Sequence, residues 1–398
     1  MKKRLLFVFF IIYVICFVII RQELTVHANE LATNTSFSNT SVPETTVPDT
    51  SIPGVDYTDI QNALNHALTS DQDFDFGNYV EDLTTGEEDL SFQGIFQKIF
   101  SLFTNELTSN MQSLIRLLTI AVIAAVFTNF SHTFQNSQVA ETGFYVTYLL
   151  MFVILATTFI SATSIATTTV TKMLDFMKAL VPTYCMTVAF CTGTATSIMY
   201  YEAILVLITV VNVLLIKVII PLSNIYMMAT LADNLSSEDL LSKLAELLAT
   251  VIKWLLKTLL AVVIGIGTVQ SLVAPAIDQV KRSSVMKATD MIPGVGGILS
   301  GVAETVLGAG VLLKNCVGVA GMIAIIIITA VPMVKLIIYV FIFKLLAAAI
   351  QPISDKRIVN CVSACSQATA LLLQTVFVAT VLFEIAITIV AVSTMRTI

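Results

Sequence analysis

The passage from Val311 to Pro352 constrains this chain most, because it is too long for one membrane crossing and short for two. It is apolar, interrupted by Pro332, Lys335 and Lys344. As a straight helix, Cys316 to Ile350 would measure about 52 Å against a hydrocarbon core of about 30 Å. Two full crossings need about 40 residues. The spacing therefore predicts a bent pair of short helices, broken near Pro332 and Lys335, where proline removes a backbone donor.

The rest of the chain has the same character. Of 398 residues, 56% are hydrophobic and 12% charged, and the mean hydropathy is +0.88. These values place it among polytopic, all-helical membrane proteins. The net charge of −6 comes largely from acidic residues before Leu114, which argues against a nucleic-acid partner and leaves the lipid bilayer as the expected surroundings. All six cysteines sit in or beside apolar segments and read as small packing residues, not as a disulfide framework. Cys361 and Cys365 share a helix face, but no histidine stands nearby to complete a metal site. His27, His66 and His132 supply too little for a histidine-based active site. With no ATP-binding motif either, no enzyme activity, cofactor or metal is expected, and any energy input must come from another protein or an ion gradient.

In chain order, residues 1–28 read as a signal peptide: Lys2, Lys3 and Arg4, a short apolar core, then small residues before Asn29. A retained signal anchor is the rival reading. Residues 29–56, rich in Ser, Thr and Pro, are expected to be a disordered linker. Residues 57–113 are expected to form an acidic extracytoplasmic or interfacial helical segment. Phe92, Ile95, Phe96, Ile99, Phe100, Phe103 and Leu107 make one apolar helical stripe within it.

The membrane domain occupies 114–398 and is expected to hold about seven crossing helices, near 114–130, 144–165, 179–199, 203–229, 254–273, the bent pair and 368–392. An amphipathic segment around Leu240 to Lys253 follows the fourth span, with Ser236 and Asp239 as an approximate capping box. Lysines and arginines at 2–4, 281–314 and 356–357 fall on the cytoplasmic side in this count. Lys172, Lys178 and Arg396 fall outside it, Lys172 and Lys178 in a connection between spans.

Two constellations are candidates for function. Gly294, Gly297, Gly301 and Gly308 recur at helical spacing, and Gly310, Lys314, Gly318 and Gly321 form a second stripe. Small residues at this spacing let helix backbones approach closely in lipid. The alternative is a re-entrant or broken helix lining a polar path. The second constellation is charge within apolar spans: Arg116, Lys217, Lys335, Lys344 and Glu384. A charge at mid-membrane costs roughly 2.5–3.5 kcal/mol on insertion scales, so each needs a partner, water or a route to the headgroups. Arg116 and Lys217 lie near span ends and can snorkel. Glu384 cannot, and is expected to face another helix or a hydrated lumen near Lys344.

The runs Leu312-Leu313-Lys314-Asn315-Cys316-Val317-Gly318, Pro332-Met333-Val334-Lys335 and Lys344-Leu345-Leu346-Ala347-Ala348-Ala349-Ile350-Gln351-Pro352 resemble the stage III sporulation protein AE family, with Leu346 where the family pattern has alanine. The resemblance implies a membrane core subunit of an assembly in endospore-forming bacteria. There, other stage III sporulation A-operon proteins and a forespore-side partner build a channel between mother cell and forespore. It implies a place in the mother-cell membrane around the forespore and a need for the protein in late forespore gene expression, and offers no catalytic residue to carry over. Lys314, Gly318, Gly321, Pro332, Lys335, Lys344, Gln351, Pro352 and Glu384 are the residues expected to matter for structure or transport. A self-sufficient secondary transporter and a pure membrane scaffold are the rival readings.

Overall fold

A computed structural model describes residues 56–68, 74–85, 137–192, 194–235, 241–289, 296–352 and 354–393, with single positions at 108, 115, 119, 122 and 123. The chain divides into Met1–Gly54 and Val55–Ile398. The first unit lies outside the described residues, and with it the signal and most of the linker. The phenylalanine stripe, the Ser236–Asp239 capping box and the first predicted span, apart from positions 115, 119, 122 and 123, lie outside them too.

Every element among the described residues is a helix: α1 (Thr58–Ala67), α2 (Phe76–Thr85), α3 (Ser137–Thr192), α4 (Thr194–Val211), a π-helical segment (Asn212–Ile219), α5 (Ile220–Leu235), α6 (Ser242–Thr289), α7 (Gly296–Ile350) and α8 (Lys356–Ser393). Five stretches are long and apolar enough to cross a membrane: Tyr148–Cys191, Thr194–Asn234, Ser242–Ser271, Gly308–Ile350 and Lys356–Val392. The protein is thus an all-helical, multi-pass membrane protein with five candidate spans among these residues.

Two expected interruptions are absent. The span predicted at 144–165 and residues 179–192 of the next one join in α3, so Lys172 and Lys178 stand within a helix and not in a loop, whereas the end of that second span, from Thr194, belongs to α4, which runs back along α3. The intervening Ser/Thr-rich stretch contains no glycine or proline, and its hydroxyls bond back to their own helix, as from Thr167 to Thr163 (2.9 Å) and Thr171 to Thr167 (2.9 Å). Likewise α7 runs helical through Pro332. Proline costs that helix one backbone hydrogen bond, to the Ile328 carbonyl, and no more, because packing from neighbouring helices holds the rod. The proline effect surfaces elsewhere: Pro221 cannot donate to the Lys217 carbonyl, and the preceding eight residues widen into the π form, with Ile220 N–H donating to the Leu215 carbonyl.

Contacts between the helices define their directions. Gly310 meets Cys191, Gly318 meets Tyr184 and Gly321 meets Leu180, so α3 and α7 are antiparallel. The Lys314 ammonium reaches the Ala391 carbonyl and Ser366 reaches Val340, which makes α7 and α8 an antiparallel hairpin. Its turn is capped by Asp355, whose carboxylate accepts the Arg357 N–H at 2.8 Å. The α3 and α8 helices run the same way, Thr380 lying beside Met173 and Ile387 beside Tyr184. The α4–α5 limb returns along α3, tied by Ser197 to the Cys185 carbonyl, Thr163 to Asn224 (2.9 Å) and the Tyr148 hydroxyl to the Leu231 carbonyl. A Cβ on Gly267 of α6 would overlap the Ile389 side chain of α8.

The short α1–α2 hairpin folds around Gln61, whose amide donates to the Phe74 carbonyl (3.0 Å) and accepts the Phe76 N–H (2.8 Å). It buries Ile60, Leu64, Ala67, Phe76, Tyr79 and Val80. Lys172 of α3 caps the end of α1 by donating to the Ala67 carbonyl at 2.9 Å. Thr84 and Tyr57 approach Cys316 of α7. Burial pushes the Tyr57 phenol up to about 12, and the neighbouring Cys316 adds to the effect. The Tyr57 hydroxyl is buried without a hydrogen-bond partner among the described residues.

Because the unfolded phenol titrates near 10, the stability that neutral Tyr57 contributes is intact below about pH 10 and is lost as pH rises through about 12. In thermal melts in detergent, Tyr57→Phe is expected to match or slightly exceed wild type below pH 10. Its advantage should widen between pH 10 and 12, and a constant difference across that window would contradict the assignment.

Candidate functional site

The apolar core concentrates its polar exceptions on the seam where α3, α7 and α8 meet. On α7, Lys314, Gly318 and Gly321 fall at i, i+4 and i+7 and therefore share a face. A Cβ at Gly318 would stand 3.0 Å from the Tyr184 hydroxyl, and one at Gly321 would stand 2.7 Å from a Leu180 methyl. Glycine here sets how near α3 comes to α7. The close approach in turn seats Tyr184, whose hydroxyl is 3.5 Å from the Ile387 carbonyl of α8.

Lys314 is completely buried and donates to the Ala391 carbonyl at 3.3 Å. That carbonyl lies near the end of α8, where the helix dipole favours a cation. Glu384 lies two turns before Ala391 on the same helix, hence on the same face. It is 5% exposed, and its Oε1 has no hydrogen-bond partner among the described residues. The threonines one turn to either side do not serve it. Thr380 donates to the Val376 carbonyl (3.0 Å) and lies 3.7 Å from the Met173 sulfur, while Thr388 turns to the Met322 sulfur at 3.5 Å. Lys314, Tyr184 and Glu384 thus mark successive levels of one buried seam within about 10 Å of helix rise.

The remaining predicted residues lie elsewhere. Pro332 and Lys335 are half-buried within the continuous α7, Lys344 is exposed, and Gln351 and Pro352 are exposed at the α7–α8 turn. Glu384 is not near Lys344. The register that pairs Val340 with Ser366 leaves the two on the order of 30 Å apart along the hairpin at 1.5 Å per residue. Sequence reasoning treated Lys314 as part of a glycine stripe and missed Tyr184. The available signal was a phenol beside Pro182 in an apolar run, since buried tyrosine hydroxyls seek partners. Cys185, Cys191, Cys316, Cys361 and Cys365 are free and buried. Among the described residues no group of three or more His, Cys, Asp or Glu side chains is placed to hold a metal ion.

The stage III sporulation protein AE family matches residues 74–394, a range that contains all five candidate spans and the whole polar seam. The chain belongs to the stage III sporulation protein AE family. Stage III sporulation protein AE of Bacillus subtilis (strain 168) is 24% identical over 306 residues, which cover 77% of this chain and 77% of that protein. No solved structure matches the chain. In this family member, the runs around Lys314, Lys335 and Lys344 that carry the resemblance all lie on α7 and its turn into α8.

The glycine contacts give a direct test. Gly318→Ala should cost about 1–3 kcal/mol by overpacking against Tyr184, and Tyr184→Phe, which removes the nearest atom, should recover part of that loss. A double-mutant cycle on detergent-solubilised protein reads the coupling. Additive effects would mean that the two residues do not meet.

Proposed function

We propose that this protein is a non-enzymatic membrane core subunit of the apparatus that joins mother cell and forespore during endospore formation. In this reading it resides in the mother-cell membrane, works with other stage III sporulation A-operon proteins and a forespore-side partner, and is needed for late forespore gene expression. The observation that carries the reading is the family match, which extends across every candidate span.

The polar seam supports an active part over passive anchorage. An ionisable pair of residues such as Lys314 and Glu384 inside apolar helices is costly, and a helix bundle that only anchors partners has no need of it. The kinked lysine hairpin expected from the sequence lends no support, because α7 is continuous and Lys344 is exposed.

The test is replacement of the chromosomal copy in its endospore-forming host. Lys314→Met and Glu384→Gln preserve side-chain volume, so both variants should accumulate in the membrane while late forespore gene expression drops toward that of the deletion strain. Normal expression from both variants would favour the scaffold. Solute uptake by the purified protein alone in liposomes would favour a self-sufficient transporter.

A further inference from the structure

The outward face of α3 changes chemistry twice along its length. Its exposed positions follow at intervals of three or four residues, as expected for one face of a helix. Below lie Leu149 and Val153, both exposed and apolar, and above lie Met186 and Phe190, 53% and 66% exposed. Between them the same face shows Thr157, Ser161, Ser164, Thr168 and Thr171, then Asp175 and Lys178. Ile160, at the edge of the stripe, is its one large apolar member. From Thr157 to Lys178 the polar stretch rises about 32 Å, close to the thickness of a hydrocarbon core.

Hydroxyls alone would not exclude lipid. Thr157 donates to the Val153 carbonyl (2.8 Å) and Thr171 to the Thr167 carbonyl (2.9 Å), so their donors are satisfied within the helix. The ion pair at the top of the stripe is different. Asp175 and Lys178 are 2.8 Å apart with side chains 58% and 57% exposed, and a pair so open is expensive in hydrocarbon. An independent observation lies at the same height. The α1–α2 hairpin is seated on α3 through Lys172, and it turns Asp59, Asn65, Asn78 and Glu81 outward. Lipid around this level of α3 would have to engulf those groups as well.

We infer that the outward stripe of α3 from Thr157 to Lys178 faces water and forms one wall of an aqueous passage completed by other subunits. The second half of this inference rests on the channel reading above, and the first half does not. Water satisfies the exposed ion pair and the free lone pairs of the hydroxyls. The apolar positions at either end are sealed by lipid or by neighbouring protein.

Single cysteines at Thr157, Ser164, Thr168 and Thr171, and at Val153 and Phe190, would be placed in the full-length protein of sporulating cells, with the native cysteines replaced. Membranes are then treated with a membrane-impermeant maleimide, and membrane accumulation serves as the folding control. The stripe positions should react and the two apolar positions should stay protected. Protection of all four stripe positions, or equal reaction at all six, overturns the inference. Thr168→Trp separates the two halves: it should depress late forespore gene expression while the other stripe cysteines remain reactive. Reactive stripe positions with unchanged expression would leave the water-facing stripe standing and refute the passage.

Discussion

The close approach of α3 and α7 is the contact on which the rest of the bundle depends. Helices in lipid gain little from the hydrophobic effect against one another, so their association rests on packing and on hydrogen bonds that small residues permit. Gly310, Gly318 and Gly321 leave α7 without side chains where Cys191, Tyr184 and Leu180 press against it. Seated this closely, α3 presents Tyr184 to α8 as well as to α7, and the three helices enclose the seam that holds Lys314 and Glu384. A larger residue at Gly321 would press on both Leu180 of α3 and Ile387 of α8.

That seam places two ionisable side chains where the chain can least accommodate them. Lys314 is balanced by the Ala391 carbonyl near the end of α8, a device that uses the orphan carbonyls of a helix terminus. The Glu384 Oε1 has no such partner among the described residues, and the neighbouring threonines are committed to their own backbone or to methionine sulfurs. A buried group left in this condition calls for an explanation, such as a bound water or ion, strain or a functional role. The family match extends across the same helices.

The helices are also longer than a bilayer is thick. Gly308–Ile350 alone comprises 43 residues, about 64 Å at 1.5 Å per residue. Each rod therefore passes through more than one environment, and the outward face of α3 records the change in its alternation of apolar and polar zones. The acidic α1–α2 hairpin, docked against α3 and α7, belongs to the same membrane unit as the long helices and brings a hydrophilic surface to the side of an apolar bundle.

Membrane character, helical class and family were legible in the sequence, because hydropathy and short motifs depend on local residue order. So was the small-residue stripe at Gly310, Gly318 and Gly321, which follows from helical periodicity. The continuity of α7 through Pro332 was not, since the lost hydrogen bond that suggested a break is a local cost which the helix absorbs. Nor was the unbroken run of α3 past Lys172 and Lys178, which suggested a loop although no residue there stops a helix. Residue order by itself determined which segments are helical and too apolar for water. Only the tertiary structure decided which charges are buried, because burial of Lys314 and exposure of Lys344 depend on which face of α7 meets α3 and α8, and that is settled by partners distant in the chain.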